Sequence, residues 1–192
     1  MDGALDQIDR DIGRRVHALR GDAGLSLERL AERSGVSRAM LSRVERGESS
    51  PTAQLLNRVC AGLGVTLSAL FAAAERAEVP LARRSEQPVW RDPGSGYLRR
   101  AVSPAAAGSS AEIVEVEFPA GGSVTFDSSR FAGADQFVWI LEGAMEMTVD
   151  ERTHRLETGD CLHMRIDQAI RFHNPTGQPA RYAVVIARGG AR

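Results

Sequence analysis

Residues Leu25–Gly47 read LSLERLAERSGVSRAMLSRVERG, and this stretch decides the fold of the N-terminal part. It predicts two short helices joined by a tight turn. Ser26 is a good N-cap, because its hydroxyl can accept a first-turn backbone N–H that has no helical partner. Leu27, Leu30 and Ala31 recur at helical spacing, so one face is apolar. Gly35 follows Ser34 where the chain must reverse, and a left-handed residue is cheap there. Ser37 can cap the second helix. Met40, Leu41 and Val44 suit its inner face, while Arg38, Ala39, Ser42, Arg43 and Arg46 lie outward. Gly47 closes it.

A short helix with an apolar back and arginine on its front suits the DNA major groove, where Arg donates two hydrogen bonds to guanine O6 and N7. The alternation of charge and leucine alone also fits an ordinary helical hairpin with a solvated face. The motifs go further. A-x-x-S-G-V-S ending at Ser37, L-S-x-x-E-R-G ending at Gly47, S-P-T ending at Thr52 and L-G-V ending at Val65 resemble the Xre-type (lambda-repressor-like) helix-turn-helix domain over about residues 8–72. The resemblance implies a five-helix unit that binds double-stranded DNA. Arg38 and Arg43 would reach base edges, and Ala39 or Met40 a thymine methyl. Ser42 shares the outward face. Ser26, Ser37, Arg46, Ser49 and Ser50 would position the backbone, with phosphate contacts from Ser49, Ser50 or Thr52.

Composition is neutral on this point. The 192 residues carry a net charge of −1, so global charge does not announce a nucleic-acid partner. From Arg10 to Arg58, however, Arg10, Arg14, Arg15, Arg20, Arg29, Arg33, Arg38, Arg43, Arg46 and Arg58 outnumber Asp11, Asp22, Glu28, Glu32, Glu45 and Glu48. There is no lysine, which reads as genome composition bias. Cys60 and Cys161 fall in different predicted domains, so a disulfide is not expected and a reducing, cytoplasmic setting is. No run is long and apolar enough for a membrane span. The first residues, MDGALDQIDRDIG, are too acidic and polar for a signal peptide.

Residues 5–21 predict a first helix with Leu5, Ile8, Ile12, Val16 and Leu19 on one stripe. Arg14, Arg15 and Arg20 lie off it, either touching phosphate or solvated, and His17 reads as a surface residue. Pro51 suits a helix start. Leu55, Leu56, Val59, Cys60 and Leu63 pack a fourth helix ending at Gly64. Thr66 caps a fifth, burying Leu67, Leu70 and Phe71. Residues 74–88, with two prolines and Arg83-Arg84, read as a solvated linker. The expected domains are 1–73, the linker, and 89–192.

From Val89 the pattern is all β: Tyr97–Val102, Ala111–Phe118, Ser123–Phe126, Phe137–Leu141, Met145–Val149, Cys161–Met164, Ala169–His173 and Arg181–Ala187, each bounded by turn residues. Many short strands suggest a sandwich or barrel. FVWILEGAMEMTVDERTHRLETGDCLHMRIDQAIRFHNPTG resembles the two motifs of a cupin, a double-stranded β-helix of the jelly-roll kind. Gly143 stands at the turn after the first motif, Gly159-Asp160 opens the second and Asn174 closes it.

The family's metal ligands are missing. Counting from Gly143, the Glu position is Gln136 and the two His positions are Arg130 and Ala132. Counting from Asn174, the third His is Ile170. Gln is a poor neutral ligand and Arg cannot shed its proton to bind a cation. The expectation is a barrel with no metal, no cofactor and no metal-dependent catalysis. The alternative is a rearranged site built from His163 and His173. Strand alternation puts Val138, Ile140 and Phe172 on the faces of Gln136 and Ile170. Phe137, Trp139, Leu141, Arg171 and His173 then face away. The expected effector is a small, anionic molecule held by Arg130 and Gln136 and lined by Val138, Ile140, Ile170 and Phe172, unless Arg130 points to water from a loop. Trp139 reads as core or dimer interface, Met145 and Met147 as a packed strand, and Cys161 as a buried thiol.

The expected whole is a helix-turn-helix plus cupin regulator, habitually a repressor in this family. As a homodimer it would present two recognition helices to half-sites ~34 Å apart in a palindromic operator. The alternatives are a cupin enzyme tethered to DNA and a DNA-binding protein whose barrel only dimerises.

Overall fold

The computed structural model describes residues 2–71, 80–104, 109–127, 134–165 and 168–188. The side chains of residues 2–6, Leu5 included, lie outside the described set, as do Arg130 and Ala132. The chain divides into two compact units, Met1–Ala74 and Glu75–Arg192.

The first unit is five helices: α1 (Asp2–Asp22), α2 (Leu27–Ser34), α3 (Arg38–Glu45), α4 (Ala53–Leu63) and α5 (Leu67–Phe71). Their starts follow the hydroxyl residues. Ser26, Ser37, Thr52 and Thr66 each accept a backbone N–H three residues on, from Arg29, Met40, Leu55 and Ala69, which satisfies a donor that the helix itself cannot. α2 ends at Gly35 in the left-handed region (φ +65°). The core is Ile12, Val16, Leu30, Val36, Leu41, Val44, Leu56, Val59, Cys60 and Leu70, all buried. Leu67 and Phe71, expected inside, are only half-buried. Gly13 lets α1 and α3 meet backbone to backbone, since a Cβ there would collide with the Val44 carbonyl.

The second unit is two antiparallel sheets. One has the order β1 (Val89–Arg91), β2 (Leu98–Ala101), β3 (Ala111–Phe118), β10 (Ala180–Arg188), β5 (Ala134–Glu142), β8 (Cys161–Arg165). The other has β4 (Ser123–Phe126), β9 (Ile170–His173), β6 (Ala144–Val149), β7 (Arg152–Glu157). Two strands are absent from the sequence reading. β7 is an edge strand buried only at Leu156, so RTHRLE shows no alternation. β1 is three residues long.

The inner faces carry Val114, Val116, Phe118, Val138, Ile140, Met145, Met147, Phe172, Tyr182 and Val184, all buried. Rings run through this core in sequence of contact: Trp90 edge-on to Tyr97, Tyr97 stacked on Phe118, then Tyr182, Phe172 and Phe126, with centroids 5.6–6.3 Å apart. Such pairs add to the stabilisation from burial itself. Two turn positions hold the ends. Gly143 (φ +80°) would place a Cβ 3.1 Å from Ala180 Cα. Asn174 is fully buried; its amide donates to the Gln178 carbonyl at 2.8 Å, and its oxygen accepts from Thr176 N and Oγ1 at 3.0 and 2.8 Å.

The described end of the expected linker is mostly exposed, yet it is fastened to the second unit. Arg84, in a 3-10 turn (Arg84–Glu86), donates to Glu115 on β3 at 3.0 Å, and its carbonyl accepts from Arg100 at 3.3 Å. Cys161, expected buried, is exposed at the start of β8.

Candidate nucleic-acid interface and barrel interior

α3 presents the face that the sequence implies. Leu41 and Val44 are sealed against the core at 0% and 1% exposure. Arg38, Ala39 and Arg43 are exposed, and Met40 and Ser42 are half-buried at the rim. The loop after α3 comes beside it: Ser49 Oγ lies 3.8 Å from Met40 Sδ. Ser50 hydrogen-bonds Asp9 on α1. Ser26, Ser37 and Thr52 sit at helix starts, where their hydroxyls already serve as caps.

The arginines divide by partner. Arg38 pairs with Glu28 at 2.6 Å. Glu28 lies below the usual carboxylate range, first because it accepts its own backbone N–H and then because of Arg38. Arg46 forms a fork on Glu48 with two bonds of 2.7 Å and also reaches Ser42. That hydrogen-bonded fork holds the Glu48 carboxyl low. Arg43 donates to the Glu48 backbone carbonyl at 3.3 Å; its charge helps to hold the Glu48 carboxyl low, but among the described residues it makes no ion pair with a carboxylate within bonding distance.

Arg20 corrects the reading of a phosphate-touching or solvated residue. Its side chain is 14% exposed and grips Glu45, which is 7% exposed. The guanidinium also donates to the Leu25 carbonyl at 2.9 Å, and His17 Nδ1 lies 2.8 Å from Glu45. Burial pushes the Glu45 carboxyl up, but hydrogen bonds from Arg20 and His17 outweigh it and the net shift is down. Glu45 belongs to the E-R-G motif, the one sequence signal for this cluster. Arg15 is half-buried and reaches the Ala69 carbonyl at 3.4 Å, while Arg14 pairs with Asp11.

In the barrel, β5 alternates as expected. Val138 and Ile140 are inside at 0% exposure; Phe137 and Trp139 are outside at 37% and 51%. Trp139 is therefore not a core residue. Gln136 is half-buried, between Ile186 on β10 and Met164 on β8. Ile170 and Phe172 are buried on β9 of the facing sheet. Burial pushes the Tyr97 and Tyr182 phenols up, which keeps them neutral.

A cupin metal would need donors at the Gln136 and Ile170 positions, and an amide and a hydrocarbon do not form a cation site. His163 and His173 do not converge either. They stand on outward faces of different sheets, His163 against Asp135 at 2.9 Å and His173 against Glu146 at 3.2 Å. Among the described residues, no three acidic, His or Cys side chains are grouped to hold a metal ion, and no helix is long and apolar enough to cross a membrane.

Comparison with known proteins agrees with both units. Residues 16–70 match the helix-turn-helix family HTH_3, and residues 114–186 match the cupin domain family Cupin_2. The HTH-type transcriptional regulator SutR of Escherichia coli K12 is 25% identical over 182 residues, covering 95% of this chain and 97% of SutR. PuuR of the same organism, also named an HTH-type transcriptional regulator, is 25% identical over 163 residues, covering 84% and 86%. A crystal structure of an HTH_3 family transcriptional regulator from Vibrio cholerae superimposes with a TM-score of 0.80 at 28% identity, covering 97% of this chain and 99% of that one. The chain therefore carries an Xre-type HTH_3 helix-turn-helix domain and a Cupin_2 cupin domain, and the relatives it matches along most of its length are HTH-type transcriptional regulators.

Proposed function

We propose that this regulator binds a palindromic operator as a homodimer and that its cupin unit takes a small-molecule effector that changes operator affinity. Arg43 and Arg38 read base edges, with Ala39 or Met40 against a thymine methyl. Ser26, Ser37, Ser42, Arg46, Ser49, Ser50 and Thr52 set the helix on the phosphate backbone. The observation that carries the reading is α3 itself: an exposed arginine face on a helix whose back is sealed by Leu41 and Val44.

The effector site is assigned to the Gln136 end of the barrel. There a half-buried polar amide stands between Met164 and Ile186 in the sheet, and Ile170 and Phe172 are buried on the facing sheet, whereas Val138, Ile140, Met145 and Met147 are wholly buried. Gln136 suits a small polar or anionic group; Arg130, expected from the sequence to join it, lies outside the described residues. The effector acts only if the two placements of the reading heads bind it with different affinity. Regulation is assigned as repression.

The test is fluorescence anisotropy on DNA selected from a random pool by the purified protein, at two salt concentrations. Recovery of a two-fold symmetric site, bound far more tightly than scrambled DNA, supports the reading. Equal binding to every sequence overturns it. A screen of anionic metabolites for release of that site tests the effector arm, and no release by any of them overturns it. A reporter downstream of the site gives the sign.

A further inference from the structure

The outer face of the six-stranded sheet carries an apolar strip. In one row across the sheet, Ile113 on β3 faces Val185 on β10, which faces Phe137 on β5, which faces His163 on β8. In the next row, Ala183 on β10 lies beside Trp139 on β5, and Trp139 beside Cys161 on β8. Among the described residues, the exposed large hydrophobic ones are Leu81, Ile113, Phe137 and Trp139, at 55%, 41%, 37% and 51%. Three of these four stand on this one face, and none comes from the helical unit.

We infer that this face is the surface on which a second copy of the chain docks, with Trp139 and Phe137 at its centre. The inference rests on the homodimer reading above and names where that dimer is made. Three observations select a second copy as the occupant. First, a regulator with one short reading helix per chain needs a two-fold partner to span two half-sites, and the helical unit offers no described apolar patch for it. Second, the strip has the size and make-up of an interface centre. Its three large side chains expose roughly 250–300 Å², and an aromatic core inside a polar rim is how patches of ~800 Å² per partner are built. Third, the charges around the strip are already matched within the chain. Arg84 pairs with Glu115 at 3.0 Å, Arg181 with Glu142 at 2.5 Å, and His163 with Asp135 at 2.9 Å. A face of one sign would repel its own copy, whereas paired charges can be covered by an isologous contact in which each patch meets itself.

The experiment is sedimentation of the full chain, whose single-copy mass is 20.7 kDa, together with the variants Trp139→Glu and Phe137→Glu. A wild-type dimer with both variants monomeric and unchanged in far-UV circular dichroism supports the proposal. A wild-type dimer with folded, still dimeric variants overturns this surface while leaving the homodimer reading in place. A monomeric wild type removes both. A variant that fails to fold is replaced by a readout on the native chain. Cys161 is exposed opposite Trp139, whereas Cys60 is buried. Maleimide labelling of Cys161 should slow at least several-fold as protein concentration rises through the dimerisation range. A labelling rate independent of concentration overturns the proposal.

Discussion

Arg20 and Glu45 join α1 to the end of the reading helix through two parallel hydrogen bonds, Nε to Oε1 at 2.6 Å and Nη2 to Oε2 at 2.8 Å. Glu45 is the last residue of α3 and Arg20 stands near the end of α1. The pair therefore ties the end of α3 to α1 and helps to set how α3 leans on the rest of the unit. Replacing Glu45 with Ala strands a guanidinium that is mostly buried. The expected loss is roughly 2–4 kcal/mol, read as a lower urea midpoint of the helical signal, with Glu45→Gln losing less.

The same pair gives the helical unit a pH dependence. Glu45 is held below the ordinary glutamate value of about 4.3 in the folded state. A lowered carboxyl contributes stability that is fully present above the unfolded value and is lost as pH falls through the folded one. Urea unfolding from pH 7 down to pH 3 should show that loss below about pH 4.3. Glu45→Gln should flatten the slope, and an unchanged slope would assign it to other carboxylates.

Arg43, with no acidic partner among its described bonds, is expected to act on one base pair. Arg43→Ala should cost roughly 1–3 kcal/mol on the selected site and relax preference at one position. An equal loss on specific and scrambled DNA would make it a phosphate contact instead.

Arg46 is the converse case, because Glu48 already holds it in a two-bond fork and, under the proposed phosphate role, would compete with the DNA backbone for it. Glu48→Gln should tighten DNA binding a few-fold at low salt, by a similar factor on specific and scrambled sequences, and the gain should shrink as salt screens it. Weaker binding would show that Glu48 positions Arg46 rather than occupying it.

Asn174 ties the turn before β10 by hydrogen bonds from both ends of its amide. Asn174→Ala leaves the Gln178 carbonyl and the Thr176 N–H without these bonds. The expected cost is roughly 1–3 kcal/mol, seen as earlier melting of the near-ultraviolet signal of the buried Tyr97 and Tyr182, with DNA binding kept below the transition.

Local rules reach far in this chain. A cap needs only a hydroxyl three residues before the N–H it accepts, so Ser26, Ser37, Thr52 and Thr66 are legible as helix starts. Period-two alternation sorts Val138 and Ile140 from Phe137 and Trp139, because successive side chains in a strand point to opposite faces. The same rule fails on β7, which is solvated on both sides except at Leu156, so nothing in its composition alternates. It also misses Cys161, since parity says which face a residue takes and not whether anything covers that face.

The sequence by itself determined the helix starts, the inward and outward faces of the main strands, the turn framework of Gly143 and Asn174, and the absence of the usual metal donors at Gln136 and Ile170. These depend on residues a few positions apart, or on residue type alone. Only the tertiary structure decided which arginines are already engaged. Arg20 and Glu45 are separated by 25 positions and Arg84 and Glu115 by 31. Charge pairing over that distance depends on where helices and strands come to rest, and no local spacing records it.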